Sequence, residues 1–241
     1  MIELLEQTGS TNADLIARVA AQERVAEGSW IVAKRQDSGR GRQGREWFDG
    51  AGNFMGSTVV AISPQSPPAH TLALVTGLAV YETVSALLPD PSSLKLKWPN
   101  DLLLGGAKLA GILLETSGDH VVVGIGVNLR AAPQLPDRQT TALAQFMPPP
   151  ELDHFANSLA RCFDAELERW RNFGLETLIR RWLACAYPVG TAISVHDPAG
   201  ETLLGRFDGL DENGSLLLLT VDGTRRVIHA GDIVIAPGDE T

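Results

Sequence analysis

The sequence predicts an α+β fold with a mixed or antiparallel sheet, flanking helices and a small C-terminal β-barrel. A long apolar segment with helical spacing lies at 70–88, and two further helical segments lie at about 151–173 and 175–185. Short strand-like segments between residues 94 and 129 are separated by glycine-containing turns. From residue 189 onward the pattern changes to short segments in which apolar and polar residues alternate, separated by tight turns. Together these three patterns indicate a larger sheet-and-helix domain followed by an all-β unit.

The N-terminal part is predicted to alternate between helix and strand. Ser10-Thr11-Asn12 precedes a helical pattern that runs to Gly28, and polar side chains at such a start accept backbone hydrogen bonds. Residues 30–33 and 53–62 are predicted strands. Segment 70–88 is apolar on most sides, so we expect a helix buried against the sheet.

The middle of the chain reads as four consecutive strands followed by a helical region. The strands are 94–98, 102–104, 108–116 and 120–129, with Gly105-Gly106 and Gly118-Asp119 as turns. Tight turns between neighbouring strands favour antiparallel pairing. After a proline-rich loop at 131–150, two helices are expected at about 151–173 and 175–185.

The C-terminal region is predicted to be a five-stranded barrel. Turn signals at 198–200, Asn213-Gly214 and Asp222-Gly223 divide about fifty residues into short strands. We therefore place a domain boundary near residue 187, with one domain over 1–186 and a second over 187–241.

Composition excludes several classes of protein. A net charge of −9 and a pI near 5.0 argue against general nucleic-acid affinity. The chain shows neither a secretory leader nor an apolar run of membrane-spanning length. Cys162 and Cys185 form no zinc motif. We expect a cytoplasmic protein with no membrane or DNA partner.

The most distinctive segment is Gly39–Arg45, called here the arginine loop, in which three glycines alternate with three arginines. Arginine forks match phosphate oxygens, and glycines allow close approach to an anion. We therefore expect a loop that closes over a phosphorylated or nucleotide ligand, the alternative being a surface basic tail or a nucleic-acid contact. The loop also fits G-x-G-x-x-G, but residues 46–52 are a poor helix opening, so the dinucleotide-binding interpretation is rejected.

Three further segments carry candidate chemistry. Lys97–Leu102 reads KWPNDL and lies at a strand-to-turn junction, where Asn and Asp could simply shape the turn. Lys108 enters an apolar strand and could offer a positive charge to a carboxylate, or be an ordinary edge lysine. Residues 124–128 read GIGVN and suit close approach of a flat ligand, or a bent strand.

In combination these segments resemble one protein family. The pieces, in order, are STN at 10–12, QxxGRGRxGRxW at 36–47, KWPNDL at 97–102, KLAGILxE at 108–115 and GIGVN at 124–128. In that order and spacing they resemble the biotin protein ligases, also called biotin–[acetyl-CoA-carboxylase] ligases, over essentially the whole chain. The resemblance implies a class II aminoacyl-tRNA synthetase-like catalytic core and an SH3-like C-terminal barrel.

The resemblance also implies a two-step activity. Biotin and ATP, with Mg²⁺, would give biotinyl-5′-AMP, from which biotin passes to one lysine of the biotin carboxyl carrier domain of an acyl-CoA carboxylase. Some members of the family carry an N-terminal DNA-binding domain. Because the STN motif begins at residue 10, we expect ligase activity without operator binding. A monomer and a homodimer both remain open.

Two rival interpretations remain. A lipoate–protein ligase would share the acyl-adenylate chemistry, but KWPNDL and the C-terminal barrel count against it. A biotin-responsive DNA-binding regulator would be the non-enzyme alternative, which the acidic pI disfavours.

Site residues follow from the resemblance, position by position. Those implied for biotin are Ser10, Thr11, Asn12, Gln36, Arg40, Gly41, Arg42, Lys108 and Gly111. Those implied for the nucleotide are Arg42, Arg45, Trp47, Asn100 and Asn128. Lys108, Arg40 and Arg42 are the candidate catalytic residues, because two anions must meet and positive charge offsets their repulsion. Asp101 is a weak candidate for a place near Mg²⁺.

Overall fold

The computed structural model describes residues 1–196 and 201–236 and contains two separate β-sheets with three α-helices in the described ranges. A mixed seven-stranded sheet with helices precedes an antiparallel five-stranded sheet, which confirms the predicted α+β class. The turn expected at 198–200 lies outside the described residues.

The larger sheet has the order β1-β2-β3-β7-β6-β5-β4. Its strands are β1 (Ile2–Leu5), β2 (Trp30–Ala33), β3 (Phe54–Ala61), β4 (Leu94–Lys97), β5 (Asp101–Leu104), β6 (Ala107–Ser117) and β7 (His120–Val127). Only β1 and β2 pair in parallel; all other neighbours are antiparallel, as the tight turns predict. Strand β1 was not predicted from the sequence.

The three α-helices are α1 (Thr11–Ala20), α2 (Leu72–Ser85) and α3 (Leu152–Cys185). Within α3 the backbone is non-helical at Gly174, with φ of 74°, which confirms the expected division into two helical segments. Helix α1 ends at Ala20 and not at Gly28, so the prediction was too long. Residue Gln22 adopts φ of 58°, which a helix cannot continue through.

The two faces of the larger sheet are covered differently. One face packs against α2 and α3 and forms the main core, with side chains such as Phe54, Val123 and Trp170 fully buried. On the other face α1 covers one end, where Leu15 meets Ile31 and Val122. The remainder of that second face lines a cavity.

The smaller sheet has the order β11-β10-β9-β8-β12 and is antiparallel throughout. Its strands are β8 (Ala192–His196), β9 (Thr202–Leu210), β10 (Leu216–Thr220), β11 (Arg225–Ile228) and β12 (Asp232–Ile235). Its apolar face joins the main core, and Trp98 Nε1 donates a hydrogen bond to the carbonyl of Gly214 at 3.1 Å. Strand β12 thereby lies at the cavity of the larger sheet. Among the described residues, no helix has the length and apolar character needed to cross a membrane.

Candidate functional site

A cavity of about 1210 Å³ lies between the open face of the larger sheet, the arginine loop and strand β12. It is large enough for a drug-sized ligand. All fourteen residues proposed from the sequence line it: Ser10, Thr11, Asn12, Gln36, Arg40, Gly41, Arg42, Arg45, Trp47, Asn100, Asp101, Lys108, Gly111 and Asn128. The fold therefore brings segments that are far apart in sequence to one place.

Glycines on two neighbouring strands form the floor of the cavity. Gly111 of β6 pairs with Gly126 of β7, and Gly124 lies two residues earlier on the same face. A Cβ atom at Gly126 would overlap the indole ring of Trp47, and one at Gly124 would overlap the amide of Asn12. Both side chains can lie directly on the sheet only because these positions lack a side chain.

An irregularity in β6 places Lys108 inside the cavity. Residues three apart in a regular strand point to opposite faces, so Lys108 and Gly111 should not share one. The pairing between β5 and β6 shifts register between Leu102 and Leu103, which adds one residue on the β6 side. As a result, Lys108 Nζ would lie only 3.1 Å from a Cβ atom at Gly111.

Asp101 anchors two lysines at one side of the cavity. Its carboxylate lies 2.6 Å from Lys108 Nζ and 3.4 Å from Lys97 Nζ. Burial raises the pKa of Asp101, but the two ammonium groups outweigh burial, so its pKa lies below the ordinary range. The carboxylate is therefore ionised at neutral pH and fixes Lys108 in position.

The arginine loop is ordered by its own backbone. Gly41 N donates to the carbonyl of Arg45 at 2.7 Å, and Trp47 N donates to the carbonyl of Gly39 at 2.9 Å. A single 3₁₀ turn covers Arg42–Gly44. No helix follows over residues 45–53, in agreement with rejection of the dinucleotide-binding fingerprint.

The STN motif forms a polar wall beside the loop. Ser10 is the N-cap of α1, and its Oγ accepts a hydrogen bond from Ala13 N at 3.4 Å. Gln36 Oε1 accepts from Thr11 N at 2.8 Å and from Thr11 Oγ1 at 3.1 Å. The start of the helix and the start of the loop are thus tied together.

Hydrogen bonds extend this wall across the sheet to the first loop arginine. Thr11 Oγ1 lies 2.7 Å from Ser57 Oγ, which donates to Asn12 Oδ1 at 2.5 Å. Asn12 Nδ2 donates to Glu115 Oε2 at 2.8 Å, and Arg40 Nη2 donates to Glu115 Oε1 at 2.9 Å. Thr11, Asn12 and Arg40 therefore belong to one connected network.

The other two loop arginines contact different partners. Arg42 Nη1 donates to Asn100 Oδ1 at 3.2 Å and lies 3.8 Å from Asp232 Oδ1. Arg45 forms an ion pair with Asp232. Burial raises the pKa of Asp232, but Arg45 and Arg42 outweigh it, and its pKa falls below the ordinary range. An ionised carboxylate of the smaller sheet thus binds the loop.

Trp47 and Asn128 differ in their hydrogen bonding within the cavity. The Trp47 ring centroid lies 5.9 Å from Lys108 Nζ, and its buried Nε1 has no hydrogen-bond partner among the described atoms. Asn128 is 2% exposed, and its Nδ2 donates to the carbonyl of Thr141 at 3.1 Å. Asn53 Nδ2 donates weakly to Asn128 Oδ1 at 3.5 Å. The Asn128 amide therefore holds the segment after β7.

Many cavity or network residues were not proposed from the sequence, among them Ser57, Lys97, Glu115, Arg138 and Asp232. Lys97 and Glu115 lie within segments that carried the family resemblance, so the motifs themselves were a signal for them. Arg138, which binds Asp137 at 2.5 Å, lies in a proline-rich loop without a motif. Ser57 and Asp232 lie in ordinary strands, and only the tertiary fold brings them to the cavity.

The sequence matches two family models. Residues 4–128 match the Biotin/lipoate A/B protein ligase family, and residues 190–235 match the Biotin protein ligase C terminal domain. A biotin–[acetyl-CoA-carboxylase] ligase of Mycobacterium tuberculosis is 36% identical, with 97% of this chain and 88% of the relative covered. A ligase of the same name from Paracoccus denitrificans is 35% identical, with coverage of 95% and 98%.

The fold also matches a solved structure along nearly its whole length. The biotin protein ligase from Aquifex aeolicus in complex with biotin and ATP superposes with a TM-score of 0.85 at 25% sequence identity. The match covers 98% of this chain and 99% of that chain. Both sheets of the present structure are therefore included in the likeness.

Proposed function

This chain belongs to the biotin/lipoate A/B protein ligase family, and on that premise we propose that it is an ATP-dependent biotin ligase. It activates biotin as biotinyl-5′-AMP and transfers it to a lysine of the biotin carboxyl carrier domain of an acyl-CoA carboxylase. The observation that carries this proposal is one cavity in which a polar wall at residues 10–12 stands beside Lys108 and the arginine loop.

The polar wall suits the ureido end of biotin. Ser10, Thr11, Asn12 and Gln36 are all buried yet line the cavity, so their hydrogen-bonding groups are shielded from bulk water. A ureido group offers N–H donors and a carbonyl acceptor, and paired polar groups in a dry site recognise such groups selectively. Gly111 leaves room for the ligand against the sheet.

The cations suit the adenylation step. The biotin carboxylate attacks the α-phosphorus of ATP, the bond to pyrophosphate breaks, and two anions must approach closely. Lys108, Arg40 and Arg42 supply positive charge where negative charge accumulates. Because Asp101 fixes Lys108 at 2.6 Å and Asn100 binds Arg42 at 3.2 Å, little reorganisation is required during the reaction.

The nucleotide end of the cavity is assigned to Trp47, Asn100, Asn128, Arg42 and Arg45. Trp47 offers an aromatic face for adenine. Asn100 and Asn128 order the surrounding segments, through the carbonyl of Ile112 for Asn100 and that of Thr141 for Asn128.

Mg²⁺ is proposed to arrive with the triphosphate. Within residues 1–196 and 201–236, no group of three His, Cys, Asp or Glu side chains is placed to hold a metal ion. Each Asp101 oxygen forms an ion pair with a lysine, Oδ2 with Lys97 and Oδ1 with Lys108. A carboxylate whose two oxygens are both paired in this way does not fit the role of a metal ligand. We assign Asp101 to positioning Lys108.

In the second step the acceptor lysine attacks the carbonyl carbon of the mixed anhydride, and AMP leaves. A side chain acting as covalent nucleophile is not required, because the adenylate is already activated. The contribution of the protein is to hold the adenylate and to exclude water until the carrier arrives. Closure of the arginine loop performs both tasks.

Several finer assignments accompany this proposal. We assign residues 1–186 to a class II aminoacyl-tRNA synthetase-like core and residues 187–241 to an SH3-like barrel. Free Cys162 and Cys185 suit a reducing compartment, and we propose the cytoplasm.

The decisive experiment is incubation of the full chain with ATP, Mg²⁺, isotopically labelled biotin and a biotin carboxyl carrier domain. Mass spectrometry should show that one lysine of the carrier domain has become biotinylated. The reaction should also release AMP and pyrophosphate. A parallel reaction with lipoate and a lipoyl domain serves as the control. Efficient lipoylation without biotinylation would overturn the proposal in favour of a lipoate ligase.

A further inference from the structure

Glu115 joins two parts of the cavity that the proposed function uses for different ends of the ligand. Its Oε2 accepts from Asn12 Nδ2 at 2.8 Å, and its Oε1 accepts from Arg40 Nη2 at 2.9 Å. Asn12 belongs to the polar wall, whereas Arg40 belongs to the arginine loop. One carboxylate is thus shared between the ureido-binding end and the lid.

The position of Glu115 follows from strand geometry. Gly111, Leu113 and Glu115 are two residues apart in β6 and therefore point to the cavity face. Gly124 of the neighbouring strand pairs with Leu113 and leaves space for the Asn12 amide beside it. The carboxylate can therefore reach Asn12 without obstruction from the sheet.

Only an ionised carboxylate satisfies both neighbours at once. Asn12 Nδ2 and Arg40 Nη2 are donors, and an ionised carboxyl group accepts on both oxygens. A glutamine would present its NH₂ group to one of these donors and lose that hydrogen bond. The hydrogen bond that Asn12 Nδ2 donates to Glu115 also fixes the Asn12 amide, whose Oδ1 accepts from Ser57 Oγ at 2.5 Å.

We propose that Glu115 is a positioning residue that couples recognition of biotin to closure of the arginine loop. Through Asn12 it orients the amide that meets the ureido group, and through Arg40 it holds the guanidinium over the activated end. This inference rests on the proposed function, and it assigns to Glu115 no direct contact with the ligand.

The test compares Glu115→Gln, Arg40→Ala and the double variant in the full chain. Calorimetry with biotin alone should show about three- to tenfold weaker binding for Glu115→Gln, since the lost bond is charge-assisted but partly exposed. The rate at which the protein releases biotinyl-AMP, measured by rapid filtration, should increase by a similar factor. Glu3→Gln is the matched control, because it removes an exposed carboxylate that binds Arg18 at 2.7 Å.

The double variant separates coupling from general damage. If Glu115 retains the adenylate through Arg40, the double variant releases it no more than about twofold faster than Arg40→Ala alone. Additive effects on release would overturn the proposal, as would wild-type biotin affinity and retention in folded Glu115→Gln. If that variant does not fold, Glu115→Asp carries the test, because its shorter side chain withdraws both oxygens while keeping the charge. Wild-type retention in Glu115→Asp would then reject the role.

If the proposed function itself is wrong, the wild-type protein will already show it. Wild-type protein would then form no biotinyl-AMP and bind no biotin, before any variant is compared. A wild-type protein that forms the adenylate, together with an unaffected Glu115→Gln variant, rejects only the role of Glu115.

Discussion

At the scale of single residues, Lys108 shows how a common amino acid acquires a defined environment. Its ammonium group lies between the Asp101 carboxylate at 2.6 Å and the Trp47 ring centroid at 5.9 Å. A strand bulge turns it into the cavity, so its charge is held at a fixed point. Fixed charges stabilise a transition state more effectively than mobile ones, because they need not reorganise.

Replacement of Lys108 by alanine should therefore slow adenylation about 10²- to 10³-fold, the typical cost of removing a group that stabilises developing charge. Pyrophosphate release in single-turnover conditions measures this step directly. Lys34→Ala is the control, since Lys34 forms an exposed ion pair with Glu6 at 2.7 Å. A normal rate of pyrophosphate release in Lys108→Ala would show that the charge is not used.

Arg40 is expected to affect retention more than formation of the adenylate. Its side chain is 43% exposed and contacts the protein through Glu115, which suits a group that closes over a bound ligand. In Arg40→Ala, biotinyl-AMP should escape and label lysines of bystander proteins. Labelling of an added unrelated protein reports this loss, with Arg18→Ala as the control. Wild-type retention would contradict a lid function.

At the scale of elements, the glycines of β6 and β7 determine how close the ligand and the loop approach the sheet. Gly126→Ala places a methyl group where the Trp47 ring now lies. The ring must move, and a loss of about 1.4 kcal/mol of nucleotide binding would raise the KM for ATP about tenfold. The melting temperature should change little, because the ring belongs to a surface loop. Steady-state kinetics and calorimetric melting test this together.

Gly9→Ala is the matched control for this prediction, because a Cβ atom there would meet nothing within 4 Å. Equal kinetics of the two variants would mean that Trp47 does not pack on the nucleotide. A large loss of stability in Gly126→Ala alone would point instead to a structural role of the ring.

Elements with strong local signals were predictable from the sequence. The break of α3 at Gly174 was predicted because glycine readily adopts the positive φ that ends a helix. Strand β1 was missed because Ile2–Leu5 is short and only half buried, so its alternation is weak. Helix α1 was predicted too long because the helical spacing continues past Ala20, whereas the chain turns at Gln22.

The site was predictable where a motif carries its residues and not where only the fold assembles them. Lys108 stood out as a lysine in an apolar strand, yet its orientation depends on a bulge that sequence spacing does not reveal. Asp232 reaches the cavity from a second sheet, across 187 residues of chain from Arg45. Local patterns contain no information about such pairings.

At the scale of the whole molecule, the smaller sheet is joined to the larger one by both core packing and charge. The buried rings of Trp98 and Trp182 pack with Ile193 and Phe207 of the smaller sheet. Deletion of that sheet would expose these tryptophans, so a truncation would confound stability with function. A point variant at the loop contact separates the two effects.

Asp232→Asn is that variant, because the lowered pKa of Asp232 leaves it charged at neutral pH and bound to Arg45 and Arg42. The pair is partly exposed, so its loss should cost under about 1 kcal/mol and raise the KM for ATP about two- to fivefold. Binding of biotin alone should change less than the KM for ATP, since the polar wall lies on other elements and only Arg42 of the biotin residues contacts Asp232. Asp208→Asn is the matched control, as it breaks a pair with Arg225 in the same sheet, 2.6 Å apart. If both variants behave alike, the smaller sheet does not act on the arginine loop through charge, and its contribution is packing alone.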